Sequence, residues 1–203
     1  MANTVEICNL AIAAVGGNLI MSLEDNSVEA RVCKANFAAA RDKCLEDRDW
    51  TFATSRKELA PLAQEPVFGY DGLFKLPSDC IRVIEAFDKS QQTSGPYINE
   101  QDRPNPLAWS VEEGNIAADA TEGLLIRYIK RIEDPSRFSA GFTQVLAHYL
   151  AYLICVPLAK SRALRNDTYS LYERALDDAS IGDGLQGRSQ LIRSSKLIRA
   201  RTR

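Results

Sequence analysis

The sequence of 203 residues contains few of the residue patterns on which catalysis and metal binding depend. It has a single histidine, His148, and no C-x-x-C pair, H-E-x-x-H helix, G-x-S-x-G turn or Walker-type glycine loop. His148 lies in an apolar stretch with no carboxylate three or four residues away, which favours a core histidine over a metal ligand or general base. We therefore predict a protein that is not an enzyme and needs no cofactor. An enzyme remains the minor alternative, which a bound metal or cofactor would reveal.

Cysteines are also few, and they are odd in number and scattered along the chain. Four of the five fall within helical apolar stripes, which is typical of reduced cysteines used as small hydrophobic residues. No basic and apolar leader opens the sequence, so we predict no signal peptide and synthesis in the cytoplasm. The cysteines are Cys8, Cys33, Cys44, Cys80 and Cys155.

Only one long hydrophobic run occurs, from 134 to 159. Asp134 as N-cap and Pro135 at the first helical position predict a helix that begins there. The run is long enough to span a bilayer, but it contains polar residues and has no second apolar segment to shield them. We therefore predict a central core helix. The apolar face comprises Phe138, Phe142, Val145, Leu146, Tyr149, Leu150, Leu153 and Val156.

The remaining pattern predicts an α+β fold. A capping box at Asn3 and Glu6 begins one helix, which ends at Gly16-Gly17, and a second box at Asn26 and Glu29 begins another. A fourth helix begins near Asn166 or Asp167 and is ended by Gly182, Gly184 and Gly187. Alternating residues predict strands over 67–76, 81–87 and 124–132, with a hairpin over 107–111 and 116–118.

These elements predict a four-helix bundle, formed by 1–65 and 133–187, that is interrupted by a β-rich insertion over 66–132. The polar, proline-containing segment 89–106 is predicted as a loop whose role stays open. In the strand 124–132, Ile129 interrupts the row of polar positions. Residues 188–203 are predicted to form an extended C-terminal arm.

Charge is divided unevenly along the chain, although the net charge is only −2. The segment 188–203 carries six basic residues and no acidic one. The preceding 187 residues hold the other 19 of the 25 basic residues and all 27 acidic ones, a net charge of −8. An acidic body with a basic tail indicates that the tail binds a partner.

The tail repeats Leu-Ile-Arg at 191–193 and 197–199. Phosphate neutralisation needs only charge, so the apolar pairs favour docking onto a groove of an acidic protein. Sixteen extended residues could reach roughly 50 Å. The alternative is a nucleic-acid-binding protein that uses the same tail. The candidate partner-binding residues are Arg188, Leu191, Ile192, Arg193, Lys196, Leu197, Ile198, Arg199, Arg201 and Arg203.

Seven short motifs, in this order and spacing, resemble the tail tubular protein A family, the head-to-tail adaptor or connector of short-tailed bacteriophages. The resemblance covers most of the chain, roughly from Thr4 to Ala179. The motifs are Ala40-Arg41-Asp42, Trp50-Thr51-Phe52-Ala53, Phe68-Gly69-Tyr70, Leu76-Pro77-Ser78-Asp79-Cys80-Ile81-Arg82-Val83, Arg127-Tyr128-Ile129, Asp134-Pro135-Ser136-Arg137-Phe138 and Val145-Leu146-Ala147-His148-Tyr149-Leu150-Ala151.

The resemblance implies a virion protein of the phage neck and tail that assembles as a homo-oligomeric ring, in that family a dodecamer. Its partners would be the portal protein above and the tail nozzle protein below, with the C-terminal arm reaching the portal. DNA would pass through the ring during ejection without sequence-specific binding, and no membrane is involved. The acidic body suits such a conduit, because a wall that bound phosphate strongly would slow the DNA.

Overall fold

The computed structural model describes residues 3–64, 66–91 and 106–184. In this part of the chain, four α-helices accompany two small antiparallel sheets, so the predicted α+β class is confirmed. The predicted arm, 188–203, lies outside the described residues, as do 92–105 of the predicted loop. The helices are α1 (Thr4–Ala14), α2 (Val28–Asp47), α3 (Ala140–Ala159) and α4 (Arg162–Gly184).

The first capping box is confirmed and the second is wrong. Asn3 Oδ1 accepts from the Glu6 backbone N–H at 2.8 Å, and Glu6 Oε2 accepts from the Asn3 N–H at 2.9 Å. At α2 the N-cap is Ser27, whose Oγ accepts from the Ala30 N–H at 3.1 Å. Glu29 instead accepts from the backbone and side chain of Asn18, both at 3.3 Å, so it does not close a box.

The central helix begins later than predicted. Asp134 caps only a single 3-10 turn, Pro135–Arg137, by accepting from the Ser136 N–H at 2.9 Å. Phe138 is extended, which interrupts the helix, and α3 begins at Ala140 with Ser139 as its N-cap. The predicted end at Ala159 is confirmed.

Helix α3 lies against α1, α2 and α4, so it is buried on several sides rather than on one face. Phe142, Val145, Leu146 and Leu150 are buried as predicted, but Val156 is 44% exposed. Among the described helices, α3 alone has the length and composition to cross a bilayer, and half of that window is buried inside the structure. The additional buried residues of α3 include Ala147, Ala151, Ile154 and Cys155.

Helix α4 begins and ends differently from the prediction. It starts at Arg162, preceded by Ser161, whose Oγ accepts from the Leu164 N–H at 3.2 Å. It continues through Gly182 to Gly184, so glycine does not end it at 182. Tyr172 of α4 is buried, whereas Ile181 near its C-terminal end is 67% exposed.

The strands form two three-stranded antiparallel sheets, in the orders β1-β6-β3 and β2-β5-β4. The hairpin between β4 and β5 is confirmed, and it turns at Glu113-Gly114, which both have positive φ. The sequence pattern missed β1, which precedes Pro61 and pairs with β6. The strands are β1 (Thr54–Leu59), β2 (Gly72–Lys75), β3 (Cys80–Asp88), β4 (Trp109–Glu112), β5 (Asn115–Ala118) and β6 (Leu124–Lys130).

Strand β6 contributes to two hydrophobic cores. Leu124, Ile126 and Tyr128 lie in a core between the two sheets, together with Phe74 and other strand residues. Ile129 points to the opposite face and packs in the larger core formed by the helices. This placement explains why an apolar residue interrupts the polar row of β6. The sheet β1-β6-β3 therefore connects the helices with the second sheet.

Candidate docking site at the base of the C-terminal segment

All ten candidate partner-binding residues lie outside the described residues, between Arg188 and Arg203. The described chain ends at Gly184, the last residue of α4, four positions before the first of them. The end of α4 is the part of the described structure that is nearest in sequence to the basic segment.

Close packing holds α4 against α3. A Cβ atom added to Gly141 of α3 would lie 2.9 Å from Ala179 Cβ of α4, a separation that real Cβ atoms do not reach. The two helices can approach this closely only because position 141 has no side chain.

Four tyrosines form a cluster farther along the same pair of helices, α3 and α4. Ring centroids lie 4.9 Å apart for Tyr149 and Tyr172, and 5.1 Å apart for Tyr152 and Tyr169. Arg165 stacks 4.5 Å from the centre of the Tyr152 ring and also donates to its hydroxyl at 2.7 Å. Offset aromatic contacts and a guanidinium over a ring both stabilise the helix pair.

Helix α4 is further attached to the end of α2. The Tyr172 hydroxyl donates to the Asp47 carboxylate, and Arg48 pairs with Asp177 at 2.8 Å. Burial, followed by the hydrogen bond to Asp47, raises the pKa of the Tyr172 hydroxyl far above its ordinary value, so it remains a donor.

The last attachment is made by Asp183, a residue that is only 9% exposed. Its Oδ2 accepts from both the backbone N–H and the hydroxyl of Thr51, each at 2.7 Å. Its Oδ1 is buried, with no hydrogen-bond partner among the described residues. The end of α4 is thus fixed to the turn between α2 and β1.

A cleft of about 520 Å³ opens beside Asp183 and is lined by Gly184. Both arginines that line it are already paired. Arg48 pairs with Asp177, and Arg82 pairs with Asp49 and donates to the Glu46 carbonyl at 3.1 Å. The other lining residues are Asp47, Asp49, Trp50, Thr51 and Ser180.

Two further motifs meet in a charge network between the helices and the sheet. The buried Arg41 contacts Asp42 at 2.8 Å, and Asp42 accepts from Arg131 Nε at 3.0 Å. The Arg131 N–H donates to the Asp79 carbonyl at 2.7 Å, and the Asp79 carboxylate pairs with Lys130 at 3.1 Å. Burial opposes ionisation of Asp79, but the hydrogen bond and charge of Lys130 bring its pKa below the usual value.

The aromatic residues of the motifs also serve packing. Trp50 is buried and donates its ring N–H to the Cys44 carbonyl at 2.7 Å. Its ring lies 5.0 Å from Phe142, and Phe142 lies 5.1 Å from Phe52 and 4.8 Å from Phe138. These four rings join the turn after α2 to the start of α3.

The motif Phe68-Gly69-Tyr70 is exposed at its first two residues. In the loop between β1 and β2, Val67 is 95% exposed and Phe68 is 87% exposed, next to Gly69, which has a φ of +88°. Nothing in the described structure covers this apolar pair.

The four cysteines predicted in helical apolar stripes are buried, whereas His148, predicted as a core histidine, is only half-buried. Burial lowers the pKa of His148, and its Nδ1 has no partner within the described ranges. All five cysteines are free thiols, and burial raises the pKa of Cys80 to about 11. No group of three or more His, Cys, Asp or Glu side chains in the described segments could hold a metal ion.

No protein-family model matches the sequence, and no match is found among curated proteins. The resemblance to the adaptor family therefore stays a prediction that depends on the motifs.

The sequence pattern predicted the basic segment but not the residues that fix its starting point. Asp183 lies between Gly182 and Gly184, so it resembled a residue of a loop rather than a helix anchor. Thr51 was noticed only as part of the motif Trp50-Thr51-Phe52-Ala53. Local sequence contains no signal for this contact, because the two residues are 132 positions apart.

Proposed function

We propose that this chain is a structural virion protein, one subunit of a head-to-tail adaptor ring that joins a portal to a tail nozzle. The ring, a dodecamer by resemblance, forms part of the DNA ejection channel and performs no catalysis. The four helices form a bundle from which the segment 188–203 extends as an arm that docks onto the portal.

The fixed end of α4 is the observation that carries this proposal. Asp183 and Thr51, Arg48 and Asp177, and the tight contact at Gly141 hold the last turns of the helix. A docking arm must leave its subunit at a defined position, because the ends of the arm have to match repeated sites on a ring. The basic segment begins at Arg188, five residues beyond Asp183.

The places of the motif residues in the structure also support an architectural role. The motif residues Arg41, Asp42 and Asp79 belong to the network between helices and sheet, and Trp50 and Phe138 belong to the aromatic cluster. These residues act by packing and pairing within the described fold. A chain whose motif residues serve packing and ion pairing suits a ring subunit better than an enzyme.

Removal of residues 188–203 tests the arm. We expect the full chain to be a monomer or weak oligomer alone and to assemble when mixed with its portal ring, because the arm becomes ordered on binding. The truncated chain should keep the same circular-dichroism spectrum but leave the portal undecorated in electron micrographs. A truncated chain that docked as well as the full chain would refute the role of the arm.

A salt titration separates this proposal from nucleic-acid binding by the tail. Affinity for DNA should fall steeply between about 50 and 200 mM salt if the basic residues neutralise phosphates. Docking through apolar anchors should weaken much less over the same range. Acidic residues are also expected to face the lumen of the assembled ring, and a lumen without Asp or Glu side chains would exclude that part of the proposal.

A further inference from the structure

Exposed apolar side chains lie beside acidic residues at one end of the sheet β2-β5-β4. In the loop before β2, Val67 is 95% exposed and Phe68 is 87% exposed. Asp71 and Asp119 directly adjoin the terminal pair of the β2–β5 ladder, so both exposed aspartates lie at the same end of the sheet. Neither carboxylate forms an ion pair with a described residue. We call these four residues the loop surface.

A second surface, at the turn between α3 and α4, has the opposite charge. Val156 is 44% exposed, and Lys160 and Arg162, on either side of the turn, are both exposed. Arg165 stacks on Tyr152, which lies one helical turn before Val156. The first turn of α4 contains no acidic residue, and these three cations form no ion pair within the described ranges. We call these five residues the tip surface.

We infer that the loop surface of one copy docks onto the tip surface of a second copy of this chain. Two carboxylates without a described partner then face three cations without one, and the exposed Phe68 packs near the exposed Val156. Complementary charge sets the orientation of such a contact, while the apolar side chains that it buries contribute free energy of association.

A second copy is the partner that matches best, because one chain carries both complementary surfaces. Since two different surfaces meet, the contact is heterologous and repeats from copy to copy, which produces a ring if the rotation closes. The inference deepens the proposed function by naming the surfaces through which ring subunits would meet. It rests on that proposal in requiring the chain to contact copies of itself.

Carbodiimide cross-linking of a mixture of unlabelled and isotope-labelled chains, followed by mass spectrometry, tests the contact. The reagent couples a lysine amine to a carboxylate that it touches. We expect peptides that join Lys160 to Asp71 or Asp119, with one labelled and one unlabelled partner. The Lys130–Asp79 pair, 3.1 Å apart within one copy, is the control and should give only peptides of uniform label. Lys160 peptides of exclusively uniform label, or none joined to either aspartate, would overturn the inference.

Charge reversal with complementation gives a second measurement. Lys160→Glu with Arg162→Glu reverses the tip surface, and Asp71→Lys with Asp119→Lys reverses the loop surface; all four positions are exposed, so the fold should be kept. Each double variant alone should self-associate at least about tenfold more weakly than the wild type in sedimentation equilibrium, because like charges then face each other. An equimolar mixture should recover association, since the reversed tip of one variant faces the reversed loop of the other. A mixture that associates no better than either variant alone would contradict the contact.

The apolar part of the contact is tested by Phe68→Ser. Loss of the ring should weaken self-association at least about tenfold, because a buried aromatic side chain contributes strongly to an interface. Met21→Ser is the matched control, since Met21 is 90% exposed and belongs to neither surface, and it should leave association unchanged. Equal losses in the two variants would indicate non-specific hydrophobic association and would refute the inferred contact.

Failure of this contact is distinguishable from failure of the adaptor function. Portal rings that become decorated without any mixed-label Lys160 peptide would refute the contact and leave the adaptor function standing. The mixed-label peptide together with an undecorated portal would support the contact and refute the adaptor function.

Discussion

At the scale of single residues, the position of α4 depends on the lack of a side chain at Gly141. Gly141 lets α3 approach Ala179 so closely that any Cβ would overlap it. The atoms that a new methyl group would meet are the Cβ and Cα of Ala179, which cannot rotate away. Relief would require α4 to move, together with the tyrosine cluster and the Asp183 anchor that depend on its position.

Gly141→Ala should therefore destabilise the protein. Overpacking of a tight contact costs about 1–3 kcal/mol, which exceeds the gain in helix propensity of up to about 1 kcal/mol. Urea denaturation should show a lower midpoint with an unchanged slope. Ala179→Gly in the same chain should recover part of the loss, since it removes the methyl group that the new side chain meets.

Gly182→Ala is the matched control, because a Cβ there meets nothing within 4 Å and the position is also helical. It should raise the unfolding free energy by up to about 1 kcal/mol through helix propensity alone. If Gly141→Ala stabilised the protein as much as Gly182→Ala, the close contact between α3 and α4 would be contradicted.

At the scale of elements, two neighbouring residues compete to begin α2. Asn26 and Glu29 have the spacing of a capping box, yet Ser27 is the N-cap. Glu29 accepts from Asn18 in the loop after α1, so it is not available to close a box with Asn26. The contact between Glu29 and Asn18, eleven positions apart, thus overrides the capping-box pattern, which covers four residues.

Substitution of each candidate by alanine distinguishes them. Ser27→Ala should lower the unfolding free energy by about 1 kcal/mol, because the Ala30 N–H loses its acceptor. Asn26→Ala should change it by less than about 0.5 kcal/mol, as at an ordinary surface position. The denaturation midpoints of the two variants give the comparison, and a larger loss at Asn26 would show that the predicted box is the real cap.

The elements that could be predicted are those that a short, local sequence pattern specifies. The capping box of α1, the end of α3 and the β4–β5 hairpin belong to this group. Strand β1 was missed because its sequence, Thr-Ser-Arg-Lys-Glu-Leu, has no apolar alternation, and it forms only by pairing with β6. Helix α4 continues through Gly182 because Asp183 is bound at Thr51, a tertiary contact that outweighs the low propensity of glycine.

At the scale of the whole molecule, the sheet β1-β6-β3 lies between two cores. One face of β6 packs on the second sheet, and Ile129 on the other face packs among the helices. The Arg131–Asp42 and Arg82–Asp49 pairs reinforce the same junction from its surface. Helices and sheets therefore form a connected body, and the described chain ends where α4 is attached to that body.

The composition of the segment 188–203 leads to a prediction that tests the proposed docking onto a portal. If apolar anchors supply the energy of docking, replacing Leu191, Ile192, Leu197 and Ile198 by serine should weaken binding to the portal at every salt concentration. Each buried Leu or Ile contributes about 1.5–3 kcal/mol, so the loss should be at least about 100-fold. A surface-plasmon measurement on immobilised portal ring gives the affinity directly.

A variant with fewer positive charges in the same segment gives the complementary test. With Arg193, Lys196 and Arg199 changed to glutamine, we expect weaker binding at low salt through slower association, and nearly the wild-type affinity at high salt. On DNA the charge variant should lose affinity and the serine variant should keep it, because phosphate binding follows the number of cations and not the apolar pairs. If the charge variant lost the portal at all salt concentrations while the serine variant kept it, docking would depend on electrostatics, and the Leu-Ile pairs would need another explanation.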